Sequence, residues 1–251
     1  MLLELNNVSL SFGGLVAVSN VSLGIDSGEM IGIVGPNGSG KTTLFNIISG
    51  VLYPDEGTIM FGGRDITRMA PYRRAPLGIG RTFQIPRPFG SASVRENIAV
   101  GALFGTLSGK IGVEEALEIA DYYLDLLNLQ AHKDKVAETL TPVEKKMLEI
   151  ARALAMKPKL LLMDEAMAGM HPGDIDEMVA FIKRISLQEN IAIVSMVEHI
   201  MRAMVGFAER VIVLYRGEKL VDAPTREALN DERVIDVYLG GSLKKINAED
   251  K

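Results

Sequence analysis

The run Met30-Ile31-Gly32-Ile33-Val34 reads as a buried strand, and it leads straight into GPNGSGKTT. Gly35 to Thr42 fits G-x-x-x-x-G-K-[ST]. In that pattern glycines let backbone N–H groups turn inward onto phosphate oxygens, and the following helix adds its positive N-terminal end. Leu44, Ile47, Ile48 and Val51 supply the helix, spaced i, i+3, i+4, i+7 as one amphipathic stripe. The feature therefore demands a strand–loop–helix unit and calls for a polyphosphate ligand. Lys41 would reach the β- and γ-phosphates, and the Thr42 hydroxyl would ligate Mg²⁺.

The rest of the chain must build a scaffold around that unit. Apolar alternation over residues 3–10 and 18–25 predicts short half-buried strands, and residues 58–61 resume as strand after the turn chemistry of Tyr53-Pro54-Asp55-Glu56-Gly57. From about 86 to 157 the pattern is mostly helical. Residues 114–129 carry apolar side chains at helical spacing, and Met147, Leu148, Ala151 and Leu154 form a second stripe. After Pro158 alternation returns: strand 160–163, helix near 175–188, strand 191–195, helix near 200–207, and strands 211–214 and 218–221. Strands alternating with helices imply an α/β fold whose parallel sheet is covered on its faces.

Composition narrows the class. With 47% hydrophobic and 24% charged residues the chain is soluble and globular rather than disordered, and no apolar run reaches the roughly 18 residues of a membrane helix. The start, MLLELNNVSLSF, has an acid and no basic region, unlike a signal peptide. Zero cysteines exclude disulfides and thiolate metal sites, and a net charge of −5 argues against general nucleic-acid affinity.

A second element would complete a phosphate site. Leu160-Leu161-Leu162-Met163-Asp164-Glu165 is an apolar strand ending on two acids. Its plainer reading is a strand meeting a solvated acidic turn. Beside a phosphate loop, Asp164 would act on Mg²⁺ through water, and Glu165 would orient the attacking water or serve as general base.

With both halves in place, the chain resembles the ATPases of ABC transporters over nearly its whole length. The resemblance implies a P-loop NTPase fold of ABC type: a mixed or parallel sheet core, N-terminal antiparallel strands and a helical subdomain. It implies one domain over 1–251, with a nucleotide-binding core from 1–85 and 158–238, a helical subdomain over 86–157 and a polar tail over 239–251. ATP and Mg²⁺ follow as cofactors. Phe12 in LSFGG falls where the family stacks an aromatic ring on adenine. The remaining nucleotide contacts are Gly35, Pro36, Asn37, Gly38, Ser39, Gly40, Lys41, Thr42 and Thr43. Gln84 in GRTFQIP matches the glutamine that joins Thr42 and Asp164 at the metal, and His199 in VEHIM matches the switch histidine at the γ-phosphate. Taken alone, Phe12 would be core, Gln84 a surface loop residue and His199 a core histidine. His132 is expected at the surface. His171 lies in AGMHP, where many family members have an Asp, so the usual inter-subunit contact there departs from pattern.

More narrowly, GGLVAVSNVSL, PYRRAPLGIGRTFQIPRPF, SVRENIAVGA, MAGMHP and VYLGG resemble the ATP-binding subunits of branched-chain amino acid transporters. Lipopolysaccharide-export and polar-solute ATPases share parts of these stretches. In the branched-chain family two ATPases sit under two transmembrane permeases served by an external solute-binding protein, which places the chain peripherally on the cytoplasmic face of the cell membrane. The expected activity is ATP hydrolysis that powers import of branched-chain or other amino acids. A soluble ABC protein acting on ribosomes or DNA commonly joins two ATPase domains or adds coiled-coil arms, and this chain has neither. A scaffold that binds ATP without hydrolysing it is opposed by Glu165.

Leu140-Thr141-Pro142-Val143-Glu144 falls where the family writes LSGGQ. Thr141 is a good N-cap, Pro142 suits the first helical position, and Glu144 completes a Thr-x-x-Glu capping box. Pro142 lacks an N–H, however, and Val143 puts β-branched bulk where glycine would admit an oxygen. The face offered to a partner's ATP is therefore weakened, which predicts a heterodimer with a second, LSGGQ-bearing ATPase. Finally, seven arginines fall between Arg64 and Arg95. They read either as a solvated face or as a docking rim for a permease helix.

Overall fold

A computed structural model describes residues 1–165, 167, 170–196, 206 and 208–238. His199, the tail 239–251 and all of the expected 200–207 helix except Gly206 lie outside the described residues.

Seventeen of the regular elements carry the argument. Strands β1 (Leu3–Phe12), β2 (Leu15–Ile25) and β3 (Met30–Val34) precede helix α1 (Lys41–Ser49). Then come β4 (Glu56–Phe61), β5 (Arg64–Asp65), α2 (Pro71–Arg74) and β6 (Ile79–Arg81). Helices α3 (Val94–Phe104), α4 (Val113–Leu126) and α5 (Pro142–Ala155) follow in succession, and the chain returns to strand at β7 (Leu160–Asp164). It continues with α6 (Pro172–Glu189), β8 (Ala192–Met196), β9 (Arg210–Tyr215), β10 (Glu218–Pro224) and α7 (Thr225–Asn230).

Two sheets form. The larger has strand order β10-β9-β3-β8-β7-β6, and the smaller β2-β1-β4-β5. In the larger sheet β3 runs parallel to β8 and β9, and β7 runs parallel to β8 and β6, while β10 is antiparallel to β9. Every residue of β3, β7 and β8 is buried, which explains their unbroken apolar runs. The smaller sheet is antiparallel and alternates buried with exposed positions.

The strand period of two sorts the larger sheet into two cores. Leu160 and Leu162 of β7 pack with Ile33 and with Leu44, Ile47 and Ile48 of α1. Leu161 and Met163 point the other way, into a cluster with Ile98 of α3, Leu124 of α4 and Leu148 of α5. One strand thus joins the phosphate-loop helix to the helical segment.

The structure differs from the sequence reading in several places. The first two strands run 10 and 11 residues rather than short, because β1 pairs on both edges. Helix α1 ends at Ser49, since Gly50 adopts φ 81° and donates its N–H to Ile47; Val51 falls beyond it and is half exposed. The arginines need the largest correction. Arg74 is 1% exposed, and its guanidinium donates to the carbonyls of Ile47, Ile48, Ile66, Thr67 and Met69, so it caps the C-terminal end of α1. Arg95 of α3 makes a forked pair with Asp121 of α4, and Arg81 is mostly buried beside Asp164. These three are held by partners within the fold: backbone carbonyls for the buried Arg74, Asp164 and α1 for Arg81, and Asp121 for the partly exposed Arg95.

Candidate functional site

Strands β3, β7 and β8 are parallel neighbours, so their C-terminal ends emerge at one edge of the sheet. Crevices at such edges are where open α/β sheets bind ligands. The loop 35–40 leaves β3 there and turns into α1. Gly40 makes the turn at φ 100°, and a Cβ on it would lie 2.4 Å from the Ala17 carbonyl oxygen. A Cβ on Gly35 would approach the Leu214 carbonyl oxygen to 2.2 Å, so β9 and β2 press the loop from two sides.

That pressing shapes the loop for an anion. Gly40 offers no side chain to cap α1, and the first helical turn has no acid, so the helix keeps its positive end facing outward. The Lys41 ammonium is buried and donates to the carbonyls of Gly35 (2.8 Å) and Pro36 (3.1 Å), which holds it within the loop. Ser39 Oγ is buried with no hydrogen-bond partner among the described residues. A groove of about 310 Å³ opens over residues 38–43, walled by Phe12, Leu15, Val16 and Ala17. Phe12 ends β1 beside the Gly13-Gly14 turn and is 49% exposed, so the ring forms part of the wall rather than the core.

The two acids end β7. Asp164 is buried; its N–H donates to Thr82 Oγ1 (3.2 Å) and its Oδ2 pairs with Arg81 Nη2 (3.2 Å). Arg81 also donates to Asn46 and Ser49 of α1, so one guanidinium ties β7 to the helix that begins at Lys41. Burial lowers the pKa of Arg81, and the Asp164 charge opposes that shift. Glu165 follows at φ 46°, a left-handed position that re-aims its side chain out of the strand. Gln84 Nε2 donates to Glu165 Oε2 at 3.0 Å. Among the described residues no trio of acids, histidines or cysteines could hold a metal alone. A hydroxyl (Thr42), an amide (Gln84) and one carboxylate (Asp164), completed by phosphate oxygens and water, suit a hard cation such as Mg²⁺.

Sequence reading missed Arg81, Lys146 and Glu149. Lys146 of α5 donates to the Glu165 carbonyl at 3.2 Å, and Glu149, also on α5, accepts the Phe83 N–H at 3.2 Å. The available signal was an acid lodged between the apolar Leu148 and Ile150.

Helix α5 starts as its sequence predicts. Thr141 is the N-cap, with both hydrogen bonds of the capping box formed. The Glu144 carboxylate takes the Thr141 N–H at 2.7 Å and lies 3.3 Å from His132 Nδ1. His132 is therefore half-buried against this helix start rather than plainly at the surface. Val143 is 41% exposed, and His171 is the exposed residue preceding α6.

A buried strand feeding a glycine loop and an uncapped helix, next to a strand ending on Asp164-Glu165, defines a P-loop nucleotide-binding protein. The chain belongs to the ABC transporter family, whose sequence profile matches residues 18–168. It is 34% identical over 253 residues to the probable branched-chain amino acid transport ATP-binding protein LivG of Archaeoglobus fulgidus, covering 98% of each chain. A solved nucleotide-free ATP-binding cassette from an ABC transporter superposes with TM-score 0.84 at 31% identity, covering 94% of this chain and 98% of the other. A dimeric ATP-binding cassette in a post-hydrolysis state, bound to ADP and Pi, gives TM-score 0.80 at 25% identity, covering 89% and 99%.

Proposed function

We propose that this chain is the ATP-hydrolysing subunit of an ABC importer for branched-chain or other amino acids, acting peripherally on the cytoplasmic face of the membrane. The substrate class is supported by full-length similarity to the LivG relative. The chemistry rests chiefly on one observation: Gln84 and Glu165 meet at 3.0 Å beside a buried Asp164, at the same sheet edge as the phosphate loop. One ATPase domain carries this, with residues 86–157 as a helical subdomain that passes movement to transmembrane permeases.

The residues divide the work as follows. Phe12 stacks on the base, and the amides of residues 35–43 take the phosphates. Lys41 leaves its loop carbonyls for the β- and γ-phosphates, and Ser39 Oγ gains a partner in the same cradle. Thr42, Gln84 and Asp164 would hold Mg²⁺, which would supply positive charge to neutralise the phosphates. Glu165 orients water in line with the γ-phosphate and takes its proton, and His199 steadies the γ-phosphate. Arg81 holds Asp164 in place through charge and a hydrogen bond at 3.2 Å.

Two such subunits enclose nucleotide between them; a similar cassette is dimeric and binds ADP and Pi. We read this chain's partner as a different ATPase carrying LSGGQ, because Pro142 removes one donor from the start of α5 and the N–H groups of Thr141 and Glu144 are taken up within the capping box. An external solute-binding protein would serve the permeases. The test compares ATP hydrolysis by Glu165→Gln with the unmodified chain, each with and without the partner ATPase. A large loss in the variant, and a gain on adding the partner to the unmodified chain, are expected. Equal rates for variant and parent would sink the enzyme reading.

A further inference from the structure

Helix α5 directs Lys146, Glu149 and Arg152 at the two segments that bear Gln84 and Glu165. Glu149 is 4% exposed within the apolar stripe. Its Oε2 accepts the Phe83 N–H at 3.2 Å, and its Oε1 lies 3.5 Å from Arg152 Nη2. Arg152 donates to the Arg87 carbonyl at 3.1 Å and lies over the Phe89 ring at 5.6 Å. From the same helix, Lys146 Nζ donates to the Glu165 carbonyl at 3.2 Å.

A carboxylate in such a place is costly unless its bonds matter, and burial raises its pKa from the ordinary value. An apolar side chain would fill the stripe equally well. What the carboxylate adds is a fixed position for Phe83, the residue before Gln84. Gln84 in turn meets Glu165 at 3.0 Å. Glu149 also lies five residues past Glu144, about 7.5 Å along one continuous helix. A shift at the start of α5 therefore arrives at Phe83 through a rigid body.

We propose that Glu149 is a positioning residue for ATP hydrolysis: by holding the Phe83 N–H it sets Gln84 against Glu165, and it ties that contact to the position of α5. The proposal rests on the reading of Gln84 and Glu165 as catalytic residues. It links the helix presented to the partner's nucleotide with this chain's own water-orienting carboxylate.

The test uses the full chain with its partner ATPase and Mg²⁺-ATP, comparing Glu149→Gln, Glu149→Ala, Gln84→Ala, Glu165→Gln and the double variant Glu149→Gln/Gln84→Ala. Glu149→Gln should lower kcat about 10-fold and Glu149→Ala toward about 100-fold, with KM for ATP within about 2-fold, as expected when geometry rather than binding is lost. Because Glu149 acts through Gln84, adding Glu149→Gln to Gln84→Ala should cost nothing further. Without nucleotide, the Phe83 amide should exchange hydrogen faster in Glu149→Gln than in the parent. Losses that multiply, a changed KM at constant kcat, or unchanged Phe83 exchange would each overturn the proposal. Glu149→Gln keeps size and shape, so it decides the matter if Glu149→Ala does not fold. If Glu165→Gln itself turns over at the parent rate, the catalytic reading fails. If Glu165→Gln is inactive while Glu149→Gln is normal, only the positioning role fails.

Discussion

Thr141 and Glu144 bond each other twice at the start of α5: Glu144 Oε2 takes the Thr141 N–H at 2.7 Å, and Thr141 Oγ1 takes the Glu144 N–H at 3.3 Å. On the proposed reading, a turn written LSGGQ would offer glycine backbone N–H groups to a neighbour's phosphate. Here Pro142 has no N–H, and the N–H groups of Thr141 and Glu144 are paired within the turn. Replacing Thr141 to Glu144 by Ser-Gly-Gly-Gln should raise hydrolysis at the partner's site, read as turnover of a heterodimer whose other site is silenced by Glu165→Gln in this chain. No gain would show that the start of α5 does not limit that site.

The same turn has a structural role. Thr141→Ala should lower unfolding stability by about 1 kcal/mol in chemical denaturation, the usual loss for an N-cap. ATP affinity at this chain's own phosphate loop should not change.

Glu144 also carries a pH signature. The Thr141 N–H, then the Thr141 side chain and the charges of His132 and Lys135, hold its carboxyl below the ordinary 4.5. A depressed carboxylate stabilises the fold above the unfolded pKa and loses that contribution as pH falls through the folded one. The parent should therefore lose Tm more steeply than Glu144→Gln on acidification below about pH 4.5. Parallel curves would contradict the bond pair.

Much of this was legible in sequence because each signal is local. The phosphate loop, the acids after β7 and the Thr-x-x-Glu box are all short and contiguous, and the structure forms all three. Long-range partners were not legible. Nothing in YRRAP says that Arg74 and not Arg73 turns inward, since the five carbonyls it meets come from α1 and from residues 66–69. Likewise Glu149 is plain as a polar break in an apolar stripe, but its partner Phe83 lies 66 residues away in the chain. Val51 was misread because an apolar residue continued the helical spacing beyond Gly50, and backbone geometry outranks periodicity there.

Arg74 gives a stability prediction with no catalytic content. Its guanidinium is pulled down to about 10 by burial, yet it remains charged at neutral pH and satisfies five carbonyls. Arg74→Met keeps the bulk and leaves those oxygens bare, so it should cost roughly 3 kcal/mol in denaturation. Arg74→Lys should recover only part, because one ammonium cannot reach both α1 and residues 66–69. Arg73→Met, changing the neighbouring arginine over the Tyr72 ring, should sit near the parent.

Glu149 separates stability from activity by opposite signs. Desolvation raises its pKa, opposed by the Phe83 N–H and by Arg152. A carboxyl whose folded pKa is raised contributes most below its unfolded value, and that contribution is lost as pH rises through the folded value. The ionised form is thus the less stable one. Glu149→Gln, which removes the titration, should flatten the fall in Tm that the parent shows as pH rises above the ordinary carboxyl value of 4.5. The same variant should turn over more slowly if Phe83 needs the charged acceptor. A rise in Tm together with a fall in kcat marks a residue kept for what it positions and not for packing. A fall in both would return Glu149 to a purely structural role.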